Sequence, residues 1–281
     1  MSKIYEGEYT ISELQSILIS RQIKPTDNIV GPGFYNDVVY NGALLAMKKH
    51  APDTLYLSGI GWSSLAQAQI PRHTPMYIPF EYRFMAVCEK IIRGHDEIQL
   101  SAGGPRQHCN VFFLGGMQVD KYGNQNISVI GGVDKPTFRG PGIIGLQTFA
   151  TYMDRYYIYT RNHDTRTYVD EVDFISAPGY RNRHGDRKSW NFEKYGWNPN
   201  GPQEVISPIA VMDFEEETKH MRLKSVHPGH SVDEVVEKTG FDLIIPDNVP
   251  FTPAPTEEEI TMLRTQIDKV ACLERLHGLQ T

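Results

Sequence analysis

The stretch that most constrains this chain is Leu114-Gly115-Gly116-Met117-Gln118-Val119-Asp120-Lys121-Tyr122-Gly123-Asn124-Gln125-Asn126-Ile127-Ser128. It follows an apolar run, Val111 to Leu114, with the character of a buried strand, and precedes a second, Ile127 to Ile130. Gly115 and Gly116 imply backbone that bends tightly or is closely approached by another group. Tyr122-Gly123-Asn124 has the composition of a reversal that needs a positive φ. Gln118, Asp120, Asn124 and Asn126 set four hydrogen-bonding side chains beside what must be a core. One reading is a polar-capped connection between two strands. The other is the floor of a site, because polar groups next to a core need partners.

Around this stretch the pattern alternates. Thr10-Ile11-Ser12-Glu13 is a capping box that opens a helix, with Ile11, Leu14, Ile17 and Leu18 on one face and Lys24-Pro25-Thr26 at its end. Asn28-Ile29-Val30 is a short strand leading into Gly31-Pro32-Gly33 and a helix from Asp37 to Lys49. Strand, glycine loop and helix form either a plain tight turn or a cradle for an anion or polar carbonyl at a helix N-terminus. Asp53 to Leu57 is the next strand, followed by Ser58-Gly59. Ile78 to Phe84 leads into a helix ending near Arg93, where Glu81 and Arg83 fit a solvated or paired helix start; Glu97 to Leu100 is a strand. His108 lies in a loop, where a lone His is more often a surface or hydrogen-bonding residue than a catalyst. Arg139-Gly140-Pro141-Gly142 is a further glycine-rich loop.

Beyond it, Tyr156 to Thr160, Thr167 to Val169 and Val172 to Ser176 are expected to continue the sheet, then Val205 to Met212, Met221 to Val226 and Phe241 to Ile245. Between them, residues 180–203 form an expected insertion that mixes Arg181, Arg183, His184, Arg187 and Lys188 with Trp190, Tyr195 and Trp197. That mixture suits a nucleotide or, preferably, a subunit contact, where Trp, Tyr and Arg are favoured. His227-Pro228-Gly229-His230 is a turn, since Pro-Gly breaks any helix that would align the two histidines on a metal. Ser231 to Glu234 is a second capping box. Thr256 to Glu259 is a third, and it opens a C-terminal helix over residues 256–277 with the stripe Ile260, Leu263, Ile267 and Val270.

The expected fold class is therefore α/β: a mostly parallel sheet flanked by helices with antiparallel strand additions, in one domain over residues 1–281. A chain of 281 residues, 40% hydrophobic, can bury such a core. A net charge of −6 argues against non-specific nucleic-acid binding. No apolar run approaches the roughly 18 residues of a membrane span, and Met1 to Glu8 lacks the apolar centre of a signal peptide. Cys88, Cys109 and Cys272 are scattered, which suggests a reducing compartment, by default the cytoplasm, and no zinc site.

Gly-Gly-x-Gln-x-Asp-x-x-Gly-Asn-x-Asn, from Gly115 to Asn126, resembles the signature of the β-type subunit in class I coenzyme A transferases. The group it most resembles includes the β subunits of steroid ring-cleaving hydrolases, and the likeness runs from about Ile11 to about Asp268. The resemblance implies that the Gly31-Pro32-Gly33 loop lines a thioester site. It also implies that Arg139 to Gly142 lies near the substrate, where backbone N–H groups cradle an oxyanion or a pantetheine carbonyl and Arg139 meets a phosphate or carboxylate. The implied substrate contacts are Gly31, Gly33, Ser58, Gln118, Asp120, Asn124, Asn126, Arg139, Gly140 and Gly142. Coenzyme A enters as part of the substrate, with no tightly bound cofactor. Transferases of the family carry a glutamate just before a Ser-Gly or Asn-Gly, and it attacks the acyl-CoA to form a glutamyl thioester. Here Leu57 stands before Ser58-Gly59, so this chain lacks that nucleophile and no catalytic residue is assigned to it. The implied partner is an α-type subunit that brings the carboxylate, in a hetero-oligomer of α2β2 type.

Three functions follow. The first is a β-type subunit of a two-component acyl-CoA enzyme, performing CoA transfer or water-dependent C–C cleavage of a cyclic diketone acyl-CoA, the missing glutamate favouring cleavage. The second is a non-catalytic chain that completes an assembly, against which the buried amides argue. The third, a dinucleotide-dependent oxidoreductase, fails because Asn36 stands where the third fingerprint glycine belongs.

Overall fold

Thr10 caps the first helix as the sequence predicts: its side chain accepts from the Glu13 N–H while the Glu13 carboxylate takes the Thr10 N–H. In this computed structural model the described residues are 3–32, 37–58, 62–66, 90–93, 109–143, 145–192, 194, 200–269 and 271–273. They fall into two units, Met1–Phe113 with Pro253–Thr281, and Leu114–Thr252.

In the first unit, α1 (Ile11–Gln22) is buried on every side from Ser12 to Ser20, not only along the expected stripe. One reason is its close approach to α2 (Asp37–Lys49): a Cβ on Gly42 would lie 2.5 Å from the Ser16 carbonyl, so only glycine admits the two backbones at this distance. The sheet of this unit places β1 (Ile29–Pro32) between β2 (Leu55–Ser58) and β5 (Val111–Gly115), both parallel to it. β3 (Trp62–Ala66) and β4 (Lys90–Arg93) extend it antiparallel. The helix expected to end near Arg93 is thus a strand at that point, where the Ile91-Ile92 pair of β-branched residues lies opposite Ser63 and Ser64. Its start, Glu81, Arg83, the strand from Glu97, His108, Gly33, Cys88 and Gly59 lie outside the described residues.

The C-terminal helix, Glu257–Met262, returns to this unit. It does not run unbroken to residue 277: a wider π turn, Leu263–Ile267, follows, and Asp268 then accepts the N–H groups of Cys272 and Leu273. Two capping glutamates are cross-clamped here. Glu13 of α1 receives Arg264 through Nε and Nη2 at 2.7 and 3.0 Å, and Glu259 of the C-terminal helix receives Arg21 at 3.1 and 2.7 Å and Lys49 at 3.0 Å.

The second unit contains β6 (Gln118–Asp120) between β7 (Gln125–Asn126) and the parallel β11 (Tyr168–Val169). β8 (Val129–Ile130) and β9 (Phe138–Arg139) form a hairpin, and α3 (Leu146–Tyr152) leads into β10 (Arg155–Tyr159). β12 (Arg181–Asn182) and β13 (Gly185–Asp186) make a second hairpin. β10 is joined in parallel by β14 (Val205–Ile206), which pairs antiparallel with β15 (Ala210–Phe214), and that with β16 (Met221–Val226). The single strand expected over Val205 to Met212 is therefore a hairpin. Ser207 breaks it, its Oγ accepting the N–H groups of Ile209 and Ala210. Neither Val172 to Ser176 nor Phe241 to Ile245 forms a strand; the latter keeps one bridge, Ile244 to Arg222. Ser231 caps α4 (Val232–Glu237), but Glu234 turns to His230 and Lys238 instead of closing the box. The expected α/β class holds, with a parallel centre in the first unit extended by antiparallel strands.

Two buried histidines sit beside the apolar cluster of the second unit, which includes Val119, Ile158, Tyr168, Met212 and Leu223. His227 Nε2 faces the Ser207 carbonyl, which can only accept, so Nδ1 accepts from Thr252 Oγ1. His163 bridges Ser207 and Thr239. Burial holds both neutral, lowering His163 to about 3 and His227 to about 4. Unfolded histidines take up protons below about 6.5, so between there and 4 the unfolded chain binds two protons that the fold refuses. Asp120, raised by burial to about 6, opposes this by one proton below that value. Stability is thus expected to fall by about 1.4 kcal/mol per pH unit as pH drops from 6 to 4. Urea melts across that range should show it, with a shallower slope in His163→Gln; equal stability at pH 7 and pH 5 would contradict the assignment.

Candidate functional site

The signature is built around four side chains that satisfy one another. Asp120, at the end of β6, is 3% exposed. One of its oxygens takes the N–H groups of Tyr122 and Asn124, both at 3.0 Å, and the Asn124 amide bridges both oxygens at 3.1 and 2.8 Å. Gly123 turns the chain between them at φ +76°, the reversal the sequence predicts. Asn124 also donates to the Arg181 carbonyl and accepts from the Gly179 N–H at 2.8 Å. Asn126 donates to Gln118 Oε1 at 2.7 Å and to the Val129 carbonyl, and accepts the N–H of Ser128. Gln118 in turn donates to Asp173, whose carboxylate also holds the Gly131 N–H. These side chains form a braced floor: their hydrogen-bonding capacity is directed inward, at each other and at backbone.

What the floor supports is the glycine pair. Gln125, between Asn124 and Asn126, is fully buried, and its Nε2 donates to the carbonyls of both Leu114, at 3.1 Å, and Gly115, at 3.3 Å. Its Oε1 is buried with no hydrogen-bond partner among the described residues. An orphaned buried acceptor costs about 1–3 kcal/mol. A trans peptide points each N–H opposite the preceding carbonyl. Two successive carbonyls drawn to one amide therefore turn the N–H groups of Gly115 and Gly116 away from Gln125. Gly116 N–H meets no acceptor among the described residues. A Cβ on Gly115 would meet only the Tyr159 carbonyl, at 3.9 Å, among them, so that position is open. The sequence reading missed Gln125 because it occupies an unspecified position of the signature; its place in a two-residue strand under the glycine pair is the only signal for it.

The Arg139 to Gly142 loop divides. Gly140 donates to the Ser128 carbonyl at 2.8 Å, and a Cβ there would lie 2.1 Å from the Ile127 carbonyl, so close packing explains this glycine. Gly142 has φ +96° and open space among the described residues, and Arg139 is exposed with no acidic partner among them. In the first unit, Gly31 lies in β1, where a Cβ would meet the Phe112 ring at 2.3 Å. Leu57 is buried in β2 opposite Leu65, and Ser58 ends that strand opposite Ser64. Within the expected insertion, Arg187 is turned inward, 1% exposed, with Nη1 on the Pro178 carbonyl at 3.1 Å, Nη2 on the Ala150 carbonyl and its guanidinium over Phe192. That residue serves the fold instead of a nucleotide or a subunit contact. Arg181 pairs with Asp186 and Arg183 with Glu171; Tyr195 and Trp197 lie outside the described residues. Among the described residues no cluster of His, Cys, Asp and Glu could hold a metal, and no helix is long and apolar enough to cross a membrane.

Residues 59–238 match the family model described as coenzyme A transferase. The chain is 31% identical over 264 residues, 92% of its length and 93% of the relative's, to the B-type chain of glutaconate CoA-transferase from Acidaminococcus fermentans. It is 29% identical over 240 residues, 83% of its length and 85% of the relative's, to the cholesterol ring-cleaving hydrolase IpdB subunit of Mycobacterium tuberculosis. The crystal structure of glutaconate coenzyme A-transferase from Acidaminococcus fermentans matches with a TM-score of 0.75 at 28% identity, covering 95% of this chain and 97% of that one. With a family model spanning most of the chain and a B-type relative matched almost end to end, this protein belongs to the coenzyme A transferase family and is of its β-subunit type.

Proposed function

We propose that this chain is the carbonyl-polarising half of a two-subunit enzyme acting on an acyl-CoA thioester, with the attacking group supplied by an α-type partner. The observation that carries the reading is the Gly115-Gly116 backbone: a glycine pair whose Gly116 N–H has no acceptor among the described residues, held by Gln125, which stands between Asn124 and Asn126 of the side-chain network that joins Asp120 to Asn124 and Gln118 to Asn126. Donors fixed before substrate arrives stabilise a developing oxyanion without reorganising during the reaction, and removing one typically slows turnover by about 100- to 1,000-fold. In this role the four polar side chains act through the backbone they hold. Arg139 and the open backbone at Gly142 are the proposed contacts to the charged part of coenzyme A. Gly31, Gly33 and Ser58 remain thioester contacts on the resemblance alone.

Burial of Leu57 in β2 supports a chain without its own nucleophile and favours a second reading, water-dependent cleavage of a C–C bond in a cyclic diketone acyl-CoA, over CoA transfer. In this proposal residues 1–281 act as one functional domain, and a cytoplasmic α2β2 assembly suits both readings. Co-expression with a family α-type chain, followed by mass spectrometry after incubation with acetyl-CoA or a cyclic diketone acyl-CoA, tests the assignment. Turnover by the pair, with any covalent CoA adduct on the partner, is expected. An acyl or CoA adduct on a glutamate of this chain would overturn it.

A further inference from the structure

We propose that Gln125 is the positioning residue of this site: by holding the Leu114 and Gly115 carbonyls, its amide fixes the direction of the Gly116 N–H. The inference rests on the acyl-CoA reading above and adds the residue that makes the glycine pair work.

Three observations converge. First, one nitrogen, Nε2, serves the carbonyls of two successive residues, Leu114 and Gly115. In a regular strand successive carbonyls point to opposite sides, so a single donor that reaches both marks the end of regular strand geometry. Consistent with this, β5 ends at Gly115. Second, the gathered carbonyls oblige both N–H groups to face away from Gln125. Gly116 N–H has no acceptor there among the described residues. Third, the amide's orientation leaves Oε1 buried and unpaired among them. A side chain kept only for packing gains nothing from that oxygen, and hydrocarbon of the same volume would fill the space without an orphaned acceptor. The donor half of the amide is what the position uses. Gly116 cannot be replaced to do the same work, because a Cβ there would lie 3.0 Å from the Gln118 carbonyl and 3.3 Å from Val119.

Gln125 is thus not a group that touches substrate. It sets the angle at which the Gly116 N–H meets the thioester oxygen, and with it the charge that donor stabilises as the oxygen gains electrons.

The test uses the chain co-expressed with its α-type partner. Gln125→Met keeps the volume and removes both donor and orphan. It is expected to fold, the carbonyls it frees offsetting the orphan it removes, while kcat for the acyl-CoA substrate falls by about 10- to 100-fold and KM changes little. Gln125→Glu places a carboxylate against two carbonyls and should lose as much at pH 8. It should recover relative to the parent as pH falls and the protonated carboxyl donates again. Gln125→Met folded with kcat within threefold of the parent, or a Gln125→Glu deficit independent of pH, would overturn the positioning role. A readout independent of turnover is the Gly116 amide resonance in protein labelled with 15N-glycine. In Gln125→Met it should move while glycines of the first unit hold. An unmoved Gly116 signal overturns the positioning role even where the pair is active, and an inactive wild-type pair with a moved signal counts against the acyl-CoA reading alone.

Discussion

Glu259→Ala is expected to lower folding stability by about 3 kcal/mol. Glu259 does three things at once. Its carboxylate closes the capping box with Thr256, accepting the Thr256 N–H at 2.9 Å. It takes Arg21 from the last turn of α1 in a two-point grip, and it takes Lys49 from the end of α2. Its side chain is only 4% exposed. Burial alone would raise its pKa, but Arg21, the Thr256 N–H and Lys49 outweigh that and hold it at about 2. Truncation leaves two cations facing a lost partner, and breaking a fully buried pair costs about 3–5 kcal/mol. Arg21 and Lys49 are 28% and 22% exposed and recover part of their hydration, which brings the ion-pair loss down to about 2 kcal/mol. Loss of the cap adds about 1 kcal/mol. The sign with pH follows. A carboxylate with a depressed folded pKa stabilises above its unfolded value near 4.3 and loses that contribution as pH falls towards 2. Urea melts at pH 7 should therefore separate parent and variant by about 3 kcal/mol, and melts at pH 3 by much less. A difference below 1 kcal/mol at pH 7 would mean that the clamp is ornamental.

That clamp also marks the limit of what the sequence discloses. Both boxes, Thr10 to Glu13 and Thr256 to Glu259, are legible because a capping box is a local device complete within four residues. That each glutamate also receives an arginine from the other end of the chain, Arg264 on Glu13 and Arg21 on Glu259, is a tertiary fact with no local signature. The same divide runs through the strands. The helix Asp37–Lys49 is bounded where its pattern predicts. Lys90 to Arg93, by contrast, has two isoleucines that suit helix or strand equally, and pairing with β3 decides. Ser207 breaks a continuous apolar run through its side chain's bonds to Ile209 and Ala210, a choice that hydrophobicity does not encode. At the site, the glycines and the polar quartet stand out by composition. Their direction does not: Gln118, Asp120, Asn124 and Asn126 are as consistent with pointing at a ligand as with bracing one another, and only the fold shows the second. Gln125 escaped because a residue with no assigned place in a motif carries no signal until its neighbours in space are known.

Gly179→Ala is the substitution expected to damage the site most through a single methyl group. A Cβ at Gly179 would sit 2.1 Å from the Tyr122 carbonyl oxygen, 2.5 Å from the Gly123 carbonyl carbon and 2.7 Å from the Asn124 nitrogen. All three are backbone atoms of the reversal that Asp120 organises, so no side chain can swing aside. The whole turn must move, and three bonds go with it: Gly179 N–H to Asn124, Tyr180 N–H to the Tyr122 carbonyl, and the Asn124 amide to the Arg181 carbonyl. Overpacking costs about 1–3 kcal/mol, and each strained hydrogen bond adds about 1 kcal/mol, giving roughly 4 kcal/mol. Since Asn124 is also the main side-chain donor to Asp120, displacement leaves a buried carboxylate short of donors, raises its pKa further and loosens the floor beneath Gly115-Gly116. Hydrogen exchange over residues 118–126 should accelerate with the loss of stability, and turnover by the assembled pair should fall beyond what the unfolded fraction explains. Gly132→Ala supplies the control within the same region, because a Cβ there meets nothing within 4 Å among the described residues and is expected to change stability by less than about 0.5 kcal/mol. If Gly179→Ala behaved like Gly132→Ala, the turn would have to be far more compliant than its close-packed backbone allows, and the braced floor would lose its claim to hold the glycine pair in place.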